Sequence, residues 1–411
     1  MTDRARVHDE PVRVAIVAGS DAGHAFPAFA LAERFRSAGD TPVVFTSLAW
    51  SEAARRRGID IADLPGLRAE DSDDDSDAGA KLSARAARMA QQLVGPLRAA
   101  GSQLVISDVI TVGGGWAAQL CGLPWIELSP HPLYRPSRGL PPIGSGLEPG
   151  RGVGGRLRDT LMRAATASSI RQGVRQRDAA RRTIGLGDVD AEPAARLIAT
   201  LPGLEVPRPD WPTDAHLVGP LVWEPTDDHF TVPPGDHPLV VVAPSTAQTG
   251  AADMLGEALE ALSPDTLGRT VRVVVSGLRD PDGADLARFR GELITAGPGR
   301  QDEVLAHADL LICGSGHGIL AKAMLASVPV VAVPGGGDQW ELAARIRRAG
   351  AGQAVRPVTA DAVADAVRAV LDDPAHARAA GAIGESVTDA VDPVAVAHRV
   401  LAASPRLDPC V

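Results

Sequence analysis

His24 and Asp108 have the residue types and positions that acid–base chemistry needs. His24 follows an apolar, β-branched run at residues 12–18, and Asp108 closes another apolar run at residues 103–108. Histidine titrates near neutral pH, and a neighbouring carboxylate orients the ring and stabilises its protonated form. The pair therefore predicts a general base whose ring is oriented by a carboxylate. The alternatives are a structural histidine and an aspartate that caps the following helix.

Two glycine-rich loops could bind a ligand that carries phosphates and hydroxyls. Cys313–Gly318 precedes a helical pattern, and backbone amides at a helix N-terminus attract anions. In Gly335–Gln339, Asp338 and Gln339 stand side by side, and such a pair suits hydroxyls because an amide both donates and accepts. Simple strand–helix turns are the alternative. The first loop and the turn before His24 lack the GxGxxG spacing of dinucleotide enzymes, which argues against a nicotinamide cofactor.

Apolar runs alternate with helical periodicity along the chain, so these residues follow parallel strands. The alternation pauses at a proline-rich stretch around residues 207–234 and restarts at Leu239. This pattern predicts an α/β protein with two Rossmann-like, parallel-sheet domains. The predicted division is residues 1–212 for the first domain, 213–237 for a linker, 238–390 for the second domain and 391–411 for a C-terminal helix and tail.

Length and composition narrow the class of protein. A chain of 411 residues exceeds the size of one core, and 45% hydrophobic with 22% charged residues excludes wholesale disorder. The net charge of −10 argues against broad binding to nucleic acid or anionic membranes, although arginines cluster locally between Arg171 and Arg182. There is no apolar run of about 18 residues and no secretory signal pattern. Three separated cysteines fit a cytoplasmic location.

Several segments resemble one known family. VRVAIVAGSDAGHAFPAFALAERFRSAGDTPVVFTS is similar to the strand, histidine loop and first helix of the GT-B glycosyltransferases. VLAHADLLICGSGHGILAKAMLASVPVVAVPGGGDQWELAARIRRAGAG resembles their donor-site signature and is the most specific piece. The resemblance covers nearly the whole chain. It points to the bacterial UDP-glycosyltransferase-like branch and, more narrowly, to the actinobacterial alanine-rich transferases.

The resemblance implies two domains that face each other across a cleft, the first binding an acceptor and the second a nucleoside-diphosphate sugar. It implies inverting transfer of the sugar to a hydroxyl of a small hydrophobic or lipid-like acceptor, with no metal and no cofactor. His24 would be the general base, supported by Asp108. The residues that would bind the donor are Ser245, Thr246, Gly316, His317, Gly318, Asp338 and Gln339.

Two departures from the family pattern leave other interpretations open. The family commonly has a phosphate-binding histidine where this chain has Gly314, and the aromatic residue that usually precedes Gln301 is absent. The helix N-terminus, backbone amides and His317 would then stabilise the leaving group. The first alternative is a degenerate protein that binds a nucleotide sugar or a partner without turnover. The second is a sugar-nucleotide epimerase with the same fold.

Overall fold

The computed structural model describes residues 10–68, 77–187, 191–246 and 250–404. Cys410 and the tail predicted at the end of the chain lie outside these ranges. Within them, the chain forms two parallel sheets flanked by helices, as the alternating pattern predicts.

The first sheet has seven strands in the order β3-β2-β1-β4-β5-β6-β7. Its central strands are short apolar runs whose residues are almost all buried, as expected for strands covered by helices on both faces. The strands are β1 Arg13–Val17, β2 Thr41–Thr46, β3 Asp60–Asp63, β4 Leu104–Asp108, β5 Trp125–Ser129, β6 Ala195–Ile198 and β7 Ala215–Leu217.

The second sheet has six strands in the order β10-β9-β8-β11-β12-β13. Valine dominates its centre, where β-branched side chains pack well on a pleated surface. The strands are β8 Leu239–Ala243, β9 Arg272–Ser276, β10 Ile294–Gly297, β11 Leu310–Cys313, β12 Val330–Ala332 and β13 Gly352–Ala354.

Helices follow most strands. In the first half they are α1 Ala22–Ser37, α2 Ser51–Arg56, α3 Ala78–Ala99, α4 Val112–Cys121 and α5 Gly152–Thr183. In the second half they are α6 Met254–Ala261, α7 Pro264–Leu267, α8 Gly283–Leu286, α9 Gln301–Leu305, α10 His317–Leu325, α11 Gln339–Arg348, α12 Ala360–Asp372, α13 Ala375–Glu385 and α14 Pro393–Ala403.

The strand order reverses once in each sheet. In the first sheet the reversal lies between β1 and β4, and in the second between β8 and β11. Loops that leave two such strands run to opposite faces of the sheet and leave a crevice between them, where α/β proteins bind ligands. The two crevices are therefore the expected places for a functional site.

Two features bear on the predicted domain division. Strand β7 joins the first sheet, although it falls within the predicted linker 213–237. Helix α14 packs back onto the core of the first sheet through buried valines, with Val396 only 1% exposed. The chain therefore starts and ends its described part on the same sheet.

Within the described ranges, none of the helices combines the length and the apolar character required to cross a lipid bilayer.

Candidate active site

His24 and Asp108 meet at the crevice of the first sheet. His24 lies in the first turn of α1, which follows β1, and Asp108 is the last residue of the neighbouring strand β4. Because Val17 pairs with Ser107 in the sheet, the two strands end at the same level. His24 Nδ1 lies 2.8 Å from Asp108 Oδ2, so the contact predicted from the sequence is present.

The proton positions in this pair follow from the hydrogen bonds. An ionised carboxylate only accepts, so His24 Nδ1–H donates to Asp108 and the lone pair of the neutral ring lies on Nε2. The other oxygen of Asp108 accepts from the backbone N–H of Ile110 at 2.9 Å. The carboxylate is thus held at both oxygens, while a fifth of the His24 side chain stays accessible.

Burial and Asp108 act on the pKa of His24 in opposite directions. Burial alone lowers it, because the charged imidazolium loses solvation. The hydrogen bond and negative charge of Asp108, together with the charges of Asp21 and Asp338, outweigh that effect, and the pKa of His24 is raised above its ordinary value of 6.5. The arrangement therefore gives a base that takes up a proton more readily than a free histidine.

His131 lies near this pair and stacks on Tyr134, and neither residue is predicted from the sequence. Their rings stack with centroids 4.3 Å apart. His131 Nδ1 donates to the carbonyl of Pro132 at 2.8 Å, and burial lowers the pKa of His131, so its ring is neutral. Both residues follow β5, the strand next to β4, and that position at a strand end is the signal that could have revealed them.

The N-terminus of α10 lies at the crevice of the second sheet. Apart from chain neighbours and the helix's own backbone, no described atom lies within 4 Å of the position that a Cβ would take at Gly316 or Gly318, so the described residues leave space in front of both glycines. Ser315 has a positive φ of 65°. Its buried Oγ makes no hydrogen bond to any described residue. An orphaned hydroxyl beside free helix amides fits an anionic ligand such as a diphosphate.

Gly314 is in tight contact with Ser245. A Cβ at Gly314 would lie 2.7 Å from the Cβ of Ser245 and 3.1 Å from its backbone nitrogen. The approach is close because Ala243 pairs with Cys313, so the loops after β8 and β11 leave the sheet together. The histidine that the family commonly has at this position would not fit here without a backbone shift.

Gln339 ties two of the predicted donor loops together. Its Nε2 donates to Ser245 Oγ and its Oε1 accepts from the backbone N–H of Gly335, both at 2.8 Å. Thr246 lies next to Ser245 and is exposed. The structure therefore brings Ser245 and Gln339 together, as a shared binding role predicts.

Asp338 faces the first domain. Tyr134 donates its hydroxyl to Asp338 Oδ2 at 3.3 Å, and burial raises the pKa of Tyr134 well above its ordinary value. The tyrosine therefore stays a donor at physiological pH. A sugar hydroxyl that bound Asp338 in the same geometry would replace this contact.

His317 also contacts the first domain, and its electrostatics differ from those of a phosphate-binding histidine. Its Nε2 lies 2.9 Å from Thr200 Oγ1. Burial lowers the pKa of His317 to about 3, so the ring is neutral at physiological pH. His317 consequently brings no positive charge to the start of α10.

A buried ion pair lies beside the second crevice. Lys322 Nζ is 2.7 Å from Glu224 Oε1 and donates to Gln301 Oε1 at 3.0 Å. Glu224 also accepts from the backbone N–H groups of Gln301 and Asp302 and thereby caps α9. The side-chain amide of Gln301 donates a hydrogen bond to Ser276 Oγ at the end of β9. This network joins the segment after β7 to the second domain.

A cavity of about 630 Å³ opens next to His131 in the first domain. Apolar and charged side chains both line it, among them Trp125, Leu133, Ile170 and Arg177. Burial raises the pKa of Glu127, which also lines the cavity, although Arg196 partly offsets this effect. The volume falls in the range of small-molecule sites.

No group of three or more histidine, cysteine, aspartate or glutamate side chains is placed to hold a metal ion in the part of the chain that the structure describes. The predicted metal independence stays a prediction.

The chain has relatives among named enzymes, although no family model matches it. It is 29% identical over 322 residues to 4'-demethylrebeccamycin synthase of Lentzea aerocolonigenes, an alignment that covers 71% of this chain and 73% of that protein. Other relatives, 27 or 28% identical, include a UDP-glycosyltransferase, a rhamnosyltransferase and a zeaxanthin glucosyltransferase.

Solved structures share the whole architecture. The glycotransferase of kitacinnamycin superimposes with a TM-score of 0.71 at 19% identity, covering 92% of this chain and 95% of that chain. The SsfS6 glycosyltransferase of Streptomyces sp. SF2575, complexed with thymidine diphosphate, gives a TM-score of 0.63 at 18% identity, covering 96% and 100%.

The two parallel-sheet domains and their paired crevices define a GT-B protein, which confirms the predicted fold class. Several of its sequence relatives carry names of sugar-transferring enzymes. The chain has the GT-B fold, and its sequence is similar to glycosyltransferases, among them a UDP-glycosyltransferase, as the sequence predicts.

Proposed function

We propose that this protein moves a sugar from a nucleoside-diphosphate donor to a hydroxyl of a small, largely apolar acceptor, with inversion at the anomeric carbon and without a metal or other cofactor. The observation that carries the proposal is the His24–Asp108 pair at 2.8 Å, at the crevice of the first sheet. The names of the sequence relatives support the reaction class.

In the proposed reaction, His24 Nε2 takes the proton of the acceptor hydroxyl. The acceptor oxygen then attacks the anomeric carbon from the face opposite the diphosphate, and the bond from that carbon to the diphosphate oxygen breaks. The nucleoside diphosphate leaves with the electron pair. Asp108 keeps Nδ1 protonated and stabilises the imidazolium that forms, which is why its charge and position both matter.

The diphosphate is proposed to bind at the start of α10. The backbone amides near Gly316 and Gly318, the helix dipole and the unpaired Ser315 hydroxyl would meet the negative charge that develops on the leaving group. Ser245, Thr246, Asp338 and Gln339 would hold the remaining donor groups. His317 would contribute through its packing and its contact with Thr200, because its ring is neutral.

The cavity beside His131 is proposed to receive the acceptor. Its apolar walls suit a ring system or a lipid-like chain, and its charged groups suit a polar end. The cavity lies near the His24–Asp108 pair, since Val109, the residue that follows Asp108, lines it together with His131. An acceptor hydroxyl held there would be near the proposed base.

The test separates chemistry from donor binding. Wild type and His24→Ala are incubated with uridine, thymidine, guanosine and adenosine diphosphate sugars and a panel of apolar alcohols and phenols, and transfer is followed by mass spectrometry. Donor binding is measured by thermal shift with the nucleoside diphosphates, where a ligand at 100 times its dissociation constant adds about 2.7 kcal/mol of stability.

We expect His24→Ala to lose transfer and to keep the nucleotide-dependent thermal shift. His216→Ala is the matched control, because His216 lies on β7 away from both crevices and its loss should leave transfer intact. Binding without turnover in wild type would support the degenerate alternative. A wild type with neither binding nor turnover would overturn the proposal.

A further inference from the structure

Helix α5 carries an exposed apolar stripe. Val153, Leu157 and Leu161 are spaced by four residues, so they lie along one face of the helix, and they are 86, 56 and 62% exposed. The stripe belongs to a helix of 32 residues, about 48 Å long.

The same helix is strongly basic. It contains eight arginines and two aspartates, a formal excess of six positive charges in a chain with a net charge of −10. One of the aspartates, Asp159, is buried and paired with Arg158. Arg171 and Arg175 are exposed. Arg171 follows Val153 by about five turns of 3.6 residues, and Arg175 lies about one turn further on, so both face the same side as the stripe. The outward face is thus apolar in its first half and basic in its second.

The opposite face of α5 is attached to the protein. Ala180 and Arg181 are buried near its end, and α5 packs along α3. Gln172 and Gln176 donate to the side chain of Asp77, the residue that caps α3. Leu82, one turn into α3, adds a further side chain that is 63% exposed. The stripe is therefore the free side of a helix that is already anchored.

We propose that this outward face of α5 docks on an anionic lipid surface. The apolar half would insert at the level of the acyl boundary, and the arginines would pair with lipid phosphates, as in interfacial amphipathic helices. A second copy of the chain suits the face less well, because facing copies would bring like charges together. A nucleic acid would gain little from the apolar half, because α5 has no aromatic side chain on which a base could stack.

The position of α5 connects this surface with the cleft. Ile170 and Arg177, in the second half of α5, line the cavity beside His131. Lipid docking would depend only on the exposure and the charge of this face, so the test below does not require the proposed sugar transfer to occur.

The test is co-sedimentation of the full chain with vesicles. Vesicles of phosphatidylcholine alone are compared with vesicles of equal phosphatidylcholine and phosphatidylglycerol, at low and high salt. We expect pelleting with the anionic vesicles, weakened by salt because charge screening removes the phosphate contacts. Leu157→Gln/Leu161→Gln and Arg171→Gln/Arg175→Gln should each weaken partitioning about tenfold or more.

Matched controls lie on other surfaces. Leu278→Gln removes an exposed leucine from the second domain, and Arg55→Gln/Arg378→Gln removes two exposed arginines outside α5. Both should bind like wild type. Circular dichroism and melting temperature check that each variant is folded. The comparison of the two vesicle types with wild type tests the proposal even if a variant does not fold.

Equal binding of wild type to both vesicle types, or to neither, overturns the proposal. Variants of α5 that bind anionic vesicles as wild type does overturn it as well. Light scattering measures the oligomeric state of wild type and of Leu157→Gln/Leu161→Gln. A wild-type dimer that becomes monomeric in the variant would overturn the lipid proposal, because the face would then bind a second copy of the chain.

Discussion

His24 and Asp108 stand 84 residues apart in the sequence and 2.8 Å apart in the structure. Both could be predicted, since each follows an apolar run and both have residue types that suit acid–base work. The partners of His317 could not be predicted, because Thr200 lies at the end of the other sheet and only the folded chain brings them together. The unpaired Ser315 hydroxyl was equally hidden, since serine is an ordinary loop residue.

Replacing Asp108 by asparagine should lower turnover about 10²–10⁴-fold, because the imidazolium loses its stabilising charge. The pH dependence should change too. Wild-type activity should fall as the pH drops through the raised pKa of His24, above 6.5, because the base becomes protonated. Without Asp108, burial lowers the pKa of His24, so the acid limb moves to lower pH. A pH profile of kcat/KM measures both effects.

Asp21→Asn is the control for that profile. Asp21 also raises the pKa of His24, but it acts through charge alone and is solvent exposed. Its removal should move the acid limb less than Asp108→Asn does, with turnover nearly unchanged. An acid limb that stays in place in Asp108→Asn would contradict the assignment of His24 as the titrating base.

Gly314→His should destabilise the second domain instead of restoring a family feature. The new Cβ would press into Ser245 at 2.7 Å, and overpacking of this kind costs about 1–3 kcal/mol. Thermal unfolding measures the loss. Gly316→Ala, with open space around its Cβ and a φ of −65°, should melt close to wild type. Equal melting temperatures for Gly314→His and wild type would refute the crowding argument.

The helices and strands follow the sequence pattern where apolar runs are long and fail to do so where they are short. Strands β1, β8 and β11 are continuous buried runs and could be placed from the sequence. Strand β10 is four residues long and mostly half-buried, so it lacks the apolar signal, and β7 is three residues long within a proline-rich stretch. Short edge strands take their stability from a neighbour that is distant in sequence.

Helices α9 and α10 depend on the buried Lys322–Glu224 pair. Lys322→Met would leave the Glu224 carboxylate buried without its cation, at a cost of about 3–5 kcal/mol. Urea denaturation should show the loss. Lys322→Met/Glu224→Gln removes both charges and should recover a substantial part of the stability, since the amide introduced at position 224 would still offer a carbonyl oxygen to the N–H groups at the start of α9. Equal losses in the single and double variants would show that the pair is not coupled.

At the scale of the whole molecule, the main feature is that helix α14, after the second domain, packs on the first sheet. The sequence predicted two domains and a final helix, but it held no sign of which sheet that helix covers. Val394, Val396 and Ala397 are apolar residues of a kind that could pack on either sheet, and the structure places them in the core of the first. His398 Nε2, 2.8 Å from Asp40 Oδ2, fixes the choice with a polar contact.

Val396→Ala should destabilise the first domain by about 1–2.5 kcal/mol, because the loss of buried methyl groups leaves a cavity. Calorimetry combined with limited proteolysis identifies which sheet loosens. Val391→Ala removes a valine that is 42% exposed and should change stability by less than about 0.5 kcal/mol. Earlier cleavage confined to the second domain would contradict the packing of α14 on the first sheet.

The return of the chain has a mechanical consequence. Two segments pass between the sheets, one after Leu217 and one before Pro393, and they lie side by side: Val391 donates its backbone N–H to the carbonyl of Leu217 at 2.9 Å. A Cβ at Gly219 would lie 3.3 Å from the Cβ of Ala390. Two adjacent tethers act as a paired hinge, which permits bending about one line and resists twisting. In the proposed reaction, such a hinge would let the lobes part to admit a donor and return to the same register, with His24 and the start of α10 aligned again.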